Sequence, residues 1–182
     1  MVILVDVSLL ATDRRNLYVY IPLTRRLTMI EAAGKSIPGS AHPYQDRIFL
    51  NNNRQIFLVA DGVSRSSHGD GGIAAGLILN LVEKEIERGS DLPTAIIIAN
   101  TILVKRRFWD RLIGETTLTG CIIDGNTAHI ANIGDSPAYL FRGSSRINVY
   151  TEDKAPQGYL TRSSDNLTSR CIQQPSSSSP ET

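Results

Sequence analysis

Apolar residues in this chain gather into short runs that are typical of β-strands, and polar or glycine-rich segments separate the runs. Some neighbouring runs flank only a few residues, such as 51–54 and 125–126, which suit tight turns. The predicted hairpin strands are 47–50 with 55–60, 116–124 with 127–133, and 138–142 with 146–150. Two earlier runs, 2–10 and 17–23, are compatible with a further hairpin, in which Pro22 favours an edge position.

Between the first two of these hairpins, the spacing of apolar residues changes to a helical period. One helix is predicted from Ile73 to Arg88, where Gly89 ends it, and a second runs from Asp91 or Leu92 to about Leu112. The predicted inward-facing residues are Ile73, Leu77, Leu81, Val82 and Ile86 in the first helix, and Ile96, Ala99, Leu103 and Phe108 in the second. Two consecutive helices set between strand hairpins indicate an α+β fold.

The composition fits an ordinary soluble domain. The chain has 182 residues, 41% of them apolar and 20% charged, and its 19 basic and 18 acidic residues give a net charge of +1. We therefore expect neither nucleic acid nor a membrane as a partner. The one basic triplet, Lys105 to Arg107, lies on the second predicted helix beside Phe108 and Trp109, and we interpret it as a solvated helix face.

Cysteine usage and the chain ends complete this outline. Cys121 and Cys171 are far apart and lack metal-ligand spacing, so a reduced, cytoplasmic setting is expected. The N-terminus lacks the basic segment of a signal peptide, and no run is long and apolar enough to cross a bilayer. We divide the chain into an N-terminal extension or extra strands at 1–26, a main domain at 27–172, and a Ser- and Pro-rich tail at 173–182 that we expect to be disordered.

Two predicted strands end in an acidic residue beside a glycine. Asp61 precedes Gly62 at the end of one apolar run, and Asp135 follows Gly134 at the end of another. A carboxylate at the end of a buried strand is costly unless a charge offsets it, and a divalent cation is one such offset. The first hairpin would also place Asp46 level with Asp61. These residues predict an acidic metal pocket at one edge of a sheet, and the alternative is that both are simple turn residues.

Several segments, in order along the chain, resemble the motifs of metal-dependent type-2C Ser/Thr protein phosphatases (PPM) in their bacterial or archaeal form. The matching segments are Gln45-Asp46, a variant of the first acidic motif; Leu58 to Val63; His68 to Ala75; Gly114 to Gly120; Ala131 to Leu140; and Thr151 to Asp153. Each of these motifs is weak alone, but six in the family's order, over roughly residues 28–155, make the chain similar to this family.

The resemblance implies a four-layer αββα sandwich of two antiparallel sheets flanked by helices. It also implies two Mn²⁺ or Mg²⁺ ions, with a third, weaker position. Asp61 would bridge the two metals, the Gly62 carbonyl would bind one of them, Asp46 would orient metal-bound waters, and Asp135 would lie near the third position. The implied reaction is hydrolysis of phosphoserine and phosphothreonine by a metal-activated water, so the implied partner is a phosphorylated protein substrate.

The chain departs from the family pattern in its later half, which has no "SDG" strand. Asp165 lies in a segment that resembles the late "DN" motif and is a candidate metal ligand. The same segment also resembles a mid-family motif, and we favour this second interpretation, in which the domain is shortened and Asp165 is a surface residue. The arginine that usually binds substrate phosphate is Ala41 here, and His42 is a candidate substitute, or a loop histidine without a role. Gln45 replaces a frequent acidic ligand, which would weaken the second metal site.

Three functions stay open at this point. The first is a metal-dependent Ser/Thr phosphatase that uses Asp46, Asp61 and Asp135 and needs a further carboxylate, for which Asp165 is the candidate. The second is a truncated or degenerate phosphatase-like domain that binds a partner or a phosphoprotein without turnover. The third is a plain β-sandwich interaction domain with coincidental Asp-Gly turns. The sequence specifies neither the substrate nor the oligomeric state.

Overall fold

The computed structural model describes residues 2–5, 18–21, 32–36, 45–63, 69–125, 127–142, 145–150 and 168–173. In chain order the elements are β1 (Val2–Val5), β2 (Tyr18–Ile21), β3 (Arg47–Asn51), β4 (Ile56–Ala60), α1 (Gly71–Glu87), α2 (Leu92–Trp109), β5 (Leu118–Asp124), β6 (Thr127–Ile133), β7 (Ala138–Arg142), β8 (Ser145–Tyr150) and β9 (Thr168–Gln173). They form a helix pair and two sheets, which confirms the predicted α+β class.

The larger sheet has five strands in the order β3-β4-β5-β6-β9, and every neighbouring pair is antiparallel. The two hairpins that the sequence predicts for this sheet, β3 with β4 and β5 with β6, are both present. Gly125 has a φ of 54° in the turn between β5 and β6, a conformation that glycine adopts without steric cost. The hydrophobic pattern does not predict β9, which pairs with β6 at the sheet edge.

The smaller sheet has four strands in the order β2-β1-β7-β8. The predicted hairpin of β7 with β8 is confirmed, but β1 pairs in parallel with both β2 and β7. The predicted N-terminal hairpin is therefore wrong, and so is the expectation that both sheets are wholly antiparallel. An apolar run encodes burial and not strand direction, so the sequence pattern does not distinguish a parallel from an antiparallel pair.

Side chains of the five-stranded sheet alternate between two apolar clusters, as the period of two in a β-strand requires. On one face, Leu58, Leu118 and Ile133 pack with residues of both helices. On the other face, a second cluster includes side chains from β7 of the smaller sheet. Its fully or nearly buried members are Phe57, Val59, Cys121, Ile123, Ala128, Ile130, Ala138 and Leu140. The five-stranded sheet is thus buried on both faces.

Each helix starts at an aspartate that accepts hydrogen bonds from the first turn. Asp70 accepts from the amides of Gly72 and Ile73, and Asp91 accepts from the amide of Thr94. Such caps satisfy amides that have no partner within the helix and contribute about 1 kcal/mol each. Within the described residues, no helix has the length and apolar character needed to cross a membrane.

The inward faces of the helices differ in part from the prediction. Ile73 is 46% exposed and Phe108 is 73% exposed, whereas the predicted positions Ile96, Ala99 and Leu103 are buried. The first part of the buried face of α1 consists of glycine and alanine. The buried residues of this helix are Gly71, Gly72, Ala74, Ala75, Ile78, Leu79, Leu81, Val82 and Glu85. A periodicity judged from large apolar residues misses such a face, because alanine and glycine carry little of the signal. The helix α2 also ends earlier than predicted, at Trp109.

Candidate functional site

The end of β4 brings two of the predicted carboxylates together. Arg47, the first residue of β3, pairs with Ala60, the last residue of β4. Asp46 and Asp61 are the next residues on the two facing segments. The two carboxyl groups are close enough for protonated Asp61 to donate a hydrogen bond to Asp46. The hairpin therefore places these two carboxyl groups against each other.

The electrostatic environment of Asp61 is strongly unfavourable to its charged form. Burial, which is the largest cause, acts together with the negative charge of Asp46 to raise the pKa of Asp61 from its ordinary value of 3.8 to about 7. A hydrogen bond that protonated Asp61 donates to the Asp46 carboxylate contributes to the same rise, and the charge of Asp135 makes a smaller contribution. Two negative groups, Asp46 and Asp135, thus act on one partly buried carboxyl, and a bound cation would relieve this repulsion.

The backbone of Asp61 is held in place by two threonines at the start of β5. Its carbonyl accepts hydrogen bonds from the amide of Thr117 and from the hydroxyl of Thr116, each at 2.9 Å. Its amide donates to the Thr117 hydroxyl at 3.1 Å. These contacts continue the pairing of β4 with β5 to a bridge between Gly62 and Thr116, so Asp61 is not a residue of a hairpin turn. The turn interpretation of Asp61 is therefore wrong.

The bridge does not use the carbonyl of Gly62, because its two hydrogen bonds are made by the carbonyl of Asp61 and the amide of Val63. Gly62 instead packs directly on the start of α1. A Cβ atom on Gly62 would lie 2.4 Å from the carbonyl carbon of Gly71, and one on Gly71 would lie 2.5 Å from the carbonyl carbon of Gly62. Only two glycines allow the end of β4 and the first turn of α1 to approach this closely.

A buried polar network positions the loop that carries Asp135. The hydroxyls of Thr117 and Ser136 are 2.7 Å apart, and the Ser136 carbonyl accepts from Thr119 at 2.9 Å and from Asn132 at 2.7 Å. Asn132 also donates to the Thr119 hydroxyl at 2.7 Å. The same Thr117 that holds Asp61 thus also holds the residue after Asp135, so one set of hydrogen bonds fixes the main chain of Asp61 and the position of Ser136 relative to β5.

The sequence motifs predict no role for these network residues, although they include the segments that contain them. Their signal is the presence of hydroxyl side chains at Thr117 and Thr119 within a run that is otherwise apolar and entirely buried. Polar side chains in a buried strand must find partners, so such a pattern indicates an internal hydrogen-bond network. It does not indicate which carboxylate the network supports.

The other predicted site residues fall in different places. His42 and Asp165 lie outside the described residues, and so do Ala41 and the other residues of segment 37–44. Asp135 is exposed and acts on Asp61 through its charge. Over the part of the chain that the structure describes, no three His, Cys, Asp or Glu side chains lie close enough together to hold one ion. Asp46 and Asp61 therefore lie close together, and Asp135 is more remote. We call the region that contains these three aspartates the acidic end.

A cavity of about 650 Å³ lies at the opposite end of β5, away from the three aspartates. It is formed by the turn between the two helices and by the hairpin of β5 with β6, and its lining includes Ser90, Asp91, Asp124 and His129. Asp61 pairs with the start of β5, whereas this cavity contacts Ile122 to Asp124 at the end of the strand. The cavity and the acidic end are therefore separate features.

No family model matches the sequence, and no curated protein matches it either. Solved structures do match the fold. The catalytic domain of the Ser/Thr protein phosphatase PstP, in complex with two manganese ions, has a TM-score of 0.65 and 19% identity, over 80% of this chain and 73% of that one. The chain has the PPM phosphatase fold.

Two further structures with the PPM fold give the same result. The Mycobacterium tuberculosis phosphatase PstP/Ppp has a TM-score of 0.63 and 20% identity, over 80% of this chain and 74% of that one. Stp1 from Staphylococcus aureus has a TM-score of 0.58 and 23% identity, over 70% of this chain and 57% of that one. The resemblance that the sequence motifs indicate is thus confirmed for the fold, and this chain spans only part of each of these structures.

Proposed function

We propose that this protein is a metal-dependent phosphatase that hydrolyses phosphoserine and phosphothreonine in proteins, with its metal centre at the acidic end of β4. The observation that carries this proposal is the pair of facing carboxyl groups, Asp46 and Asp61, within the field of Asp135. The PPM fold supports it, because the neighbouring PstP structure contains two manganese ions. As finer features we propose the four-layer sandwich and a phosphatase-like domain at 27–172.

The donor set fits a hard divalent cation. Carboxylate and carbonyl oxygens are the ligands that Mn²⁺ and Mg²⁺ prefer, and Asp46, Asp61 and the Gly62 carbonyl supply them. Burial and the like charges around Asp61 raise its pKa to about 7, so without a cation this carboxyl is partly protonated at neutral pH. A bound cation would hold it in the charged form. Asp135 would lie near a weaker third position, and Asp165 stays a candidate for a further ligand.

The chain itself would contribute positioning and charge control. Thr116 and Thr117 fix the main chain of Asp61, and this would position its side chain at the end of β4. Asp46 would orient water at the site. The bound metals would acidify a water molecule and offset the charge of the phosphoryl group. His42 stays a candidate for binding the substrate phosphate.

The test is hydrolysis of p-nitrophenyl phosphate by the purified protein, with Mn²⁺ and after treatment with a chelator. We expect turnover only with the metal. Loss of a residue that only supports a metal ligand typically lowers activity about 10–100-fold. The variant Asp61→Asn removes a proposed ligand itself, so it should lower kcat by more than this. Asp124→Asn is the matched control, because Asp124 is an exposed aspartate at the far end of β5. Phosphoserine, phosphothreonine and phosphotyrosine peptides then distinguish the substrate class.

A second readout is independent of activity. If the site binds Mn²⁺, the metal should stabilise the folded protein by about 2.7 kcal/mol at a concentration 100 times the dissociation constant. Thermal unfolding with and without Mn²⁺ measures this effect, which should be small in Asp61→Asn and unchanged in Asp124→Asn. Turnover that persists in the chelated protein, or that Asp61→Asn leaves intact, would rule out the proposed metal centre.

The second candidate function is a phosphatase-like domain that binds a partner or a phosphoprotein without turnover. The observation that favours it is Gln45, which stands directly before Asp46 and offers only a neutral oxygen. Under this alternative, Mn²⁺ stabilises the folded chain but p-nitrophenyl phosphate is not hydrolysed. The plain β-sandwich interaction domain predicts neither effect.

A further inference from the structure

The C-terminal end of α2 and the turn after it expose large apolar side chains to water. Phe108 is 73% exposed, Trp109 is 84% exposed and Leu112 is 67% exposed. We call these three residues, together with the exposed basic residues Lys105, Arg106 and Arg111, the aromatic ledge. Exposed apolar residues that are scattered singly are common, but a contiguous group of this kind is typical of a binding surface.

The ledge is held on a rigid frame. The side chain of Asp110 accepts a hydrogen bond from the amide of Leu112 at 2.9 Å, and its amide donates to the carbonyl of Arg106 at 2.8 Å. Ile113, the next residue, is only 4% exposed and anchors the turn in the core. Phe108 and Trp109 contact each other edge to face, with ring centroids 5.0 Å apart. A partner would meet a surface whose backbone is already ordered.

Positive charge is concentrated on the ledge. The segment 105–112 contains Lys105, Arg106, Arg107 and Arg111 against the single acidic residue Asp110, although the whole chain has a net charge of only +1. Arg107 points inward and pairs with Glu115, which is 2% exposed, at 3.1 Å. The other three basic side chains are exposed beside the apolar residues. The surface therefore suits a partner that combines apolar side chains with negative charge.

The ledge is connected to the acidic end by direct main-chain contacts. The carbonyl of Leu112 accepts a hydrogen bond from the amide of Asp70 at 2.8 Å, and the carbonyl of Asp70 accepts one from the amide of Gly114 at 3.0 Å. Asp70 caps α1, whose first residue, Gly71, packs on Gly62 beside Asp61. A polypeptide bound near Asp61 could thus extend over the start of α1 to the ledge.

We propose that the aromatic ledge binds an acidic segment of the substrate polypeptide, with apolar side chains of that segment against Trp109 and Leu112. This inference rests on the proposed phosphatase function and assigns a substrate preference to the same site. The continuity with the acidic end favours a polypeptide over a lipid surface. Acidic residues close to the phosphorylated residue would contact Arg106 and Arg111, and the phosphorylated side chain would reach the metal centre proposed at Asp46 and Asp61.

The first test uses Trp109, the one tryptophan of the chain, as a fluorescent reporter. The probes are two phosphoserine peptides with the same leucine and phenylalanine residues, one carrying glutamates and the other lysines at the remaining positions. Binding of the glutamate peptide to the Mn²⁺-loaded protein should shift the Trp109 emission to the blue and reduce its quenching by acrylamide. We expect its affinity to exceed that of the lysine peptide about fivefold or more, because several exposed charge pairs contribute.

Charge reversal provides the matched variant. Arg106→Glu combined with Arg111→Glu leaves Trp109 in place and alters only exposed side chains, so folding and p-nitrophenyl phosphate hydrolysis should not change. This double variant should lose the preference for the glutamate peptide or invert it. Equal affinities of the two peptides for the unmodified protein, or no response of Trp109 to either peptide, would overturn the proposal.

The second test is kinetic. Leu112→Ser should raise KM for the glutamate phosphopeptide about fivefold or more, since it removes an apolar contact that the bound peptide would cover. It should leave kcat and p-nitrophenyl phosphate hydrolysis unchanged. Ile97→Ser is the control, because Ile97 is a 43% exposed apolar residue of α2 outside the ledge, and it should leave all three constants unchanged. Equal effects of the two substitutions on KM would overturn the proposal.

Other occupants give different results in the fluorescence experiment. A blue shift with phosphatidylserine vesicles but not with the glutamate peptide would overturn the proposal in favour of an anionic membrane. A blue shift that grows with protein concentration alone would overturn it in favour of a second copy of the chain. If the protein binds the glutamate peptide through Trp109 but hydrolyses no phosphate ester, the phosphatase proposal fails while the ledge is still assigned to an acidic polypeptide.

Discussion

At the scale of single residues, the chemistry of this chain is concentrated in Asp61. Its carboxyl is partly buried and faces Asp46, with Asp135 contributing further negative charge. Such an arrangement destabilises the protein in the absence of a cation, because the charged form of Asp61 is unfavourable in the fold. Residues retained at a cost to stability are typical of functional sites. The sequence alone predicts the pair of Asp46 and Asp61, because a hairpin with a short turn fixes which residues face each other.

The raised pKa of Asp61 gives a pH-dependent prediction for the metal-free protein. The folded state retains the Asp61 proton up to about pH 7, whereas the unfolded state releases it near 3.8, so this group makes stability fall as the pH rises between those values. Asp61→Asn removes this dependence, and at pH 8 it should make the chelated protein more stable by about 1–4 kcal/mol. Urea unfolding at pH 4 and pH 8 measures the difference.

The control for this experiment is Asp124→Asn, which changes an exposed aspartate and should keep the pH dependence of the unmodified protein. At pH 4 the Asp61→Asn variant and the unmodified protein should have similar stability, because Asp61 is protonated in the fold. With saturating Mn²⁺ at pH 8 the order should reverse, since the metal stabilises only the protein that binds it. An identical pH dependence in Asp61→Asn and the unmodified protein would contradict this account of Asp61.

At the scale of secondary-structure elements, the decisive contact is that of β4 with α1. The strand end and the first helical turn approach through Gly62 and Gly71, and the helix start is capped by Asp70. The sequence indicates both elements and the glycines between them, but not this contact. A glycine-rich segment is equally compatible with a loose loop, and only the packing of α1 on the sheet makes the close approach necessary.

Two alanine substitutions within α1 test this contact. Gly71→Ala would place a Cβ atom 2.5 Å from the backbone of Gly62 and Val63, so we expect a loss of about 1–3 kcal/mol in stability and reduced Mn²⁺ affinity. Gly76→Ala meets only the Arg47 side chain, at 3.9 Å, and should stabilise the helix by about 0.5–1 kcal/mol. Urea unfolding and Mn²⁺ titration measure both effects, and equal outcomes for the two variants would argue against a tight junction.

At the scale of the whole molecule, the five-stranded sheet is the central structural element. One of its faces carries both helices, and the other contacts Ala138 and Leu140 of β7. The strand β5 links the two ends of this arrangement, since its start supports Asp61 and its end lines the separate cavity. Because the site is built on the starts and ends of strands in this sheet, its geometry depends on the packing of both faces.

A comparison of two phenylalanines tests this dependence. Phe57 is fully buried in the cluster that includes β7, and Phe57→Ala should reduce the free energy of unfolding by about 3–5 kcal/mol. Phe108 is 73% exposed, and Phe108→Ala should change it by less than about 0.5 kcal/mol. Urea unfolding of both variants decides the matter, and a comparable loss from Phe108→Ala would mean that the aromatic ledge is part of the core.

The sequence by itself determines the local features of this protein: the three hairpins outside the N-terminal region, the two helices and the facing pair of Asp46 and Asp61. These follow from turn chemistry and from residues that are close along the chain. The tertiary structure decides the parallel pairing of β1, the outward position of Ile73 and the network around Thr117. These depend on which surfaces meet, and an apolar or hydroxyl side chain gives no indication of its distant partner until the sheet and helices pack.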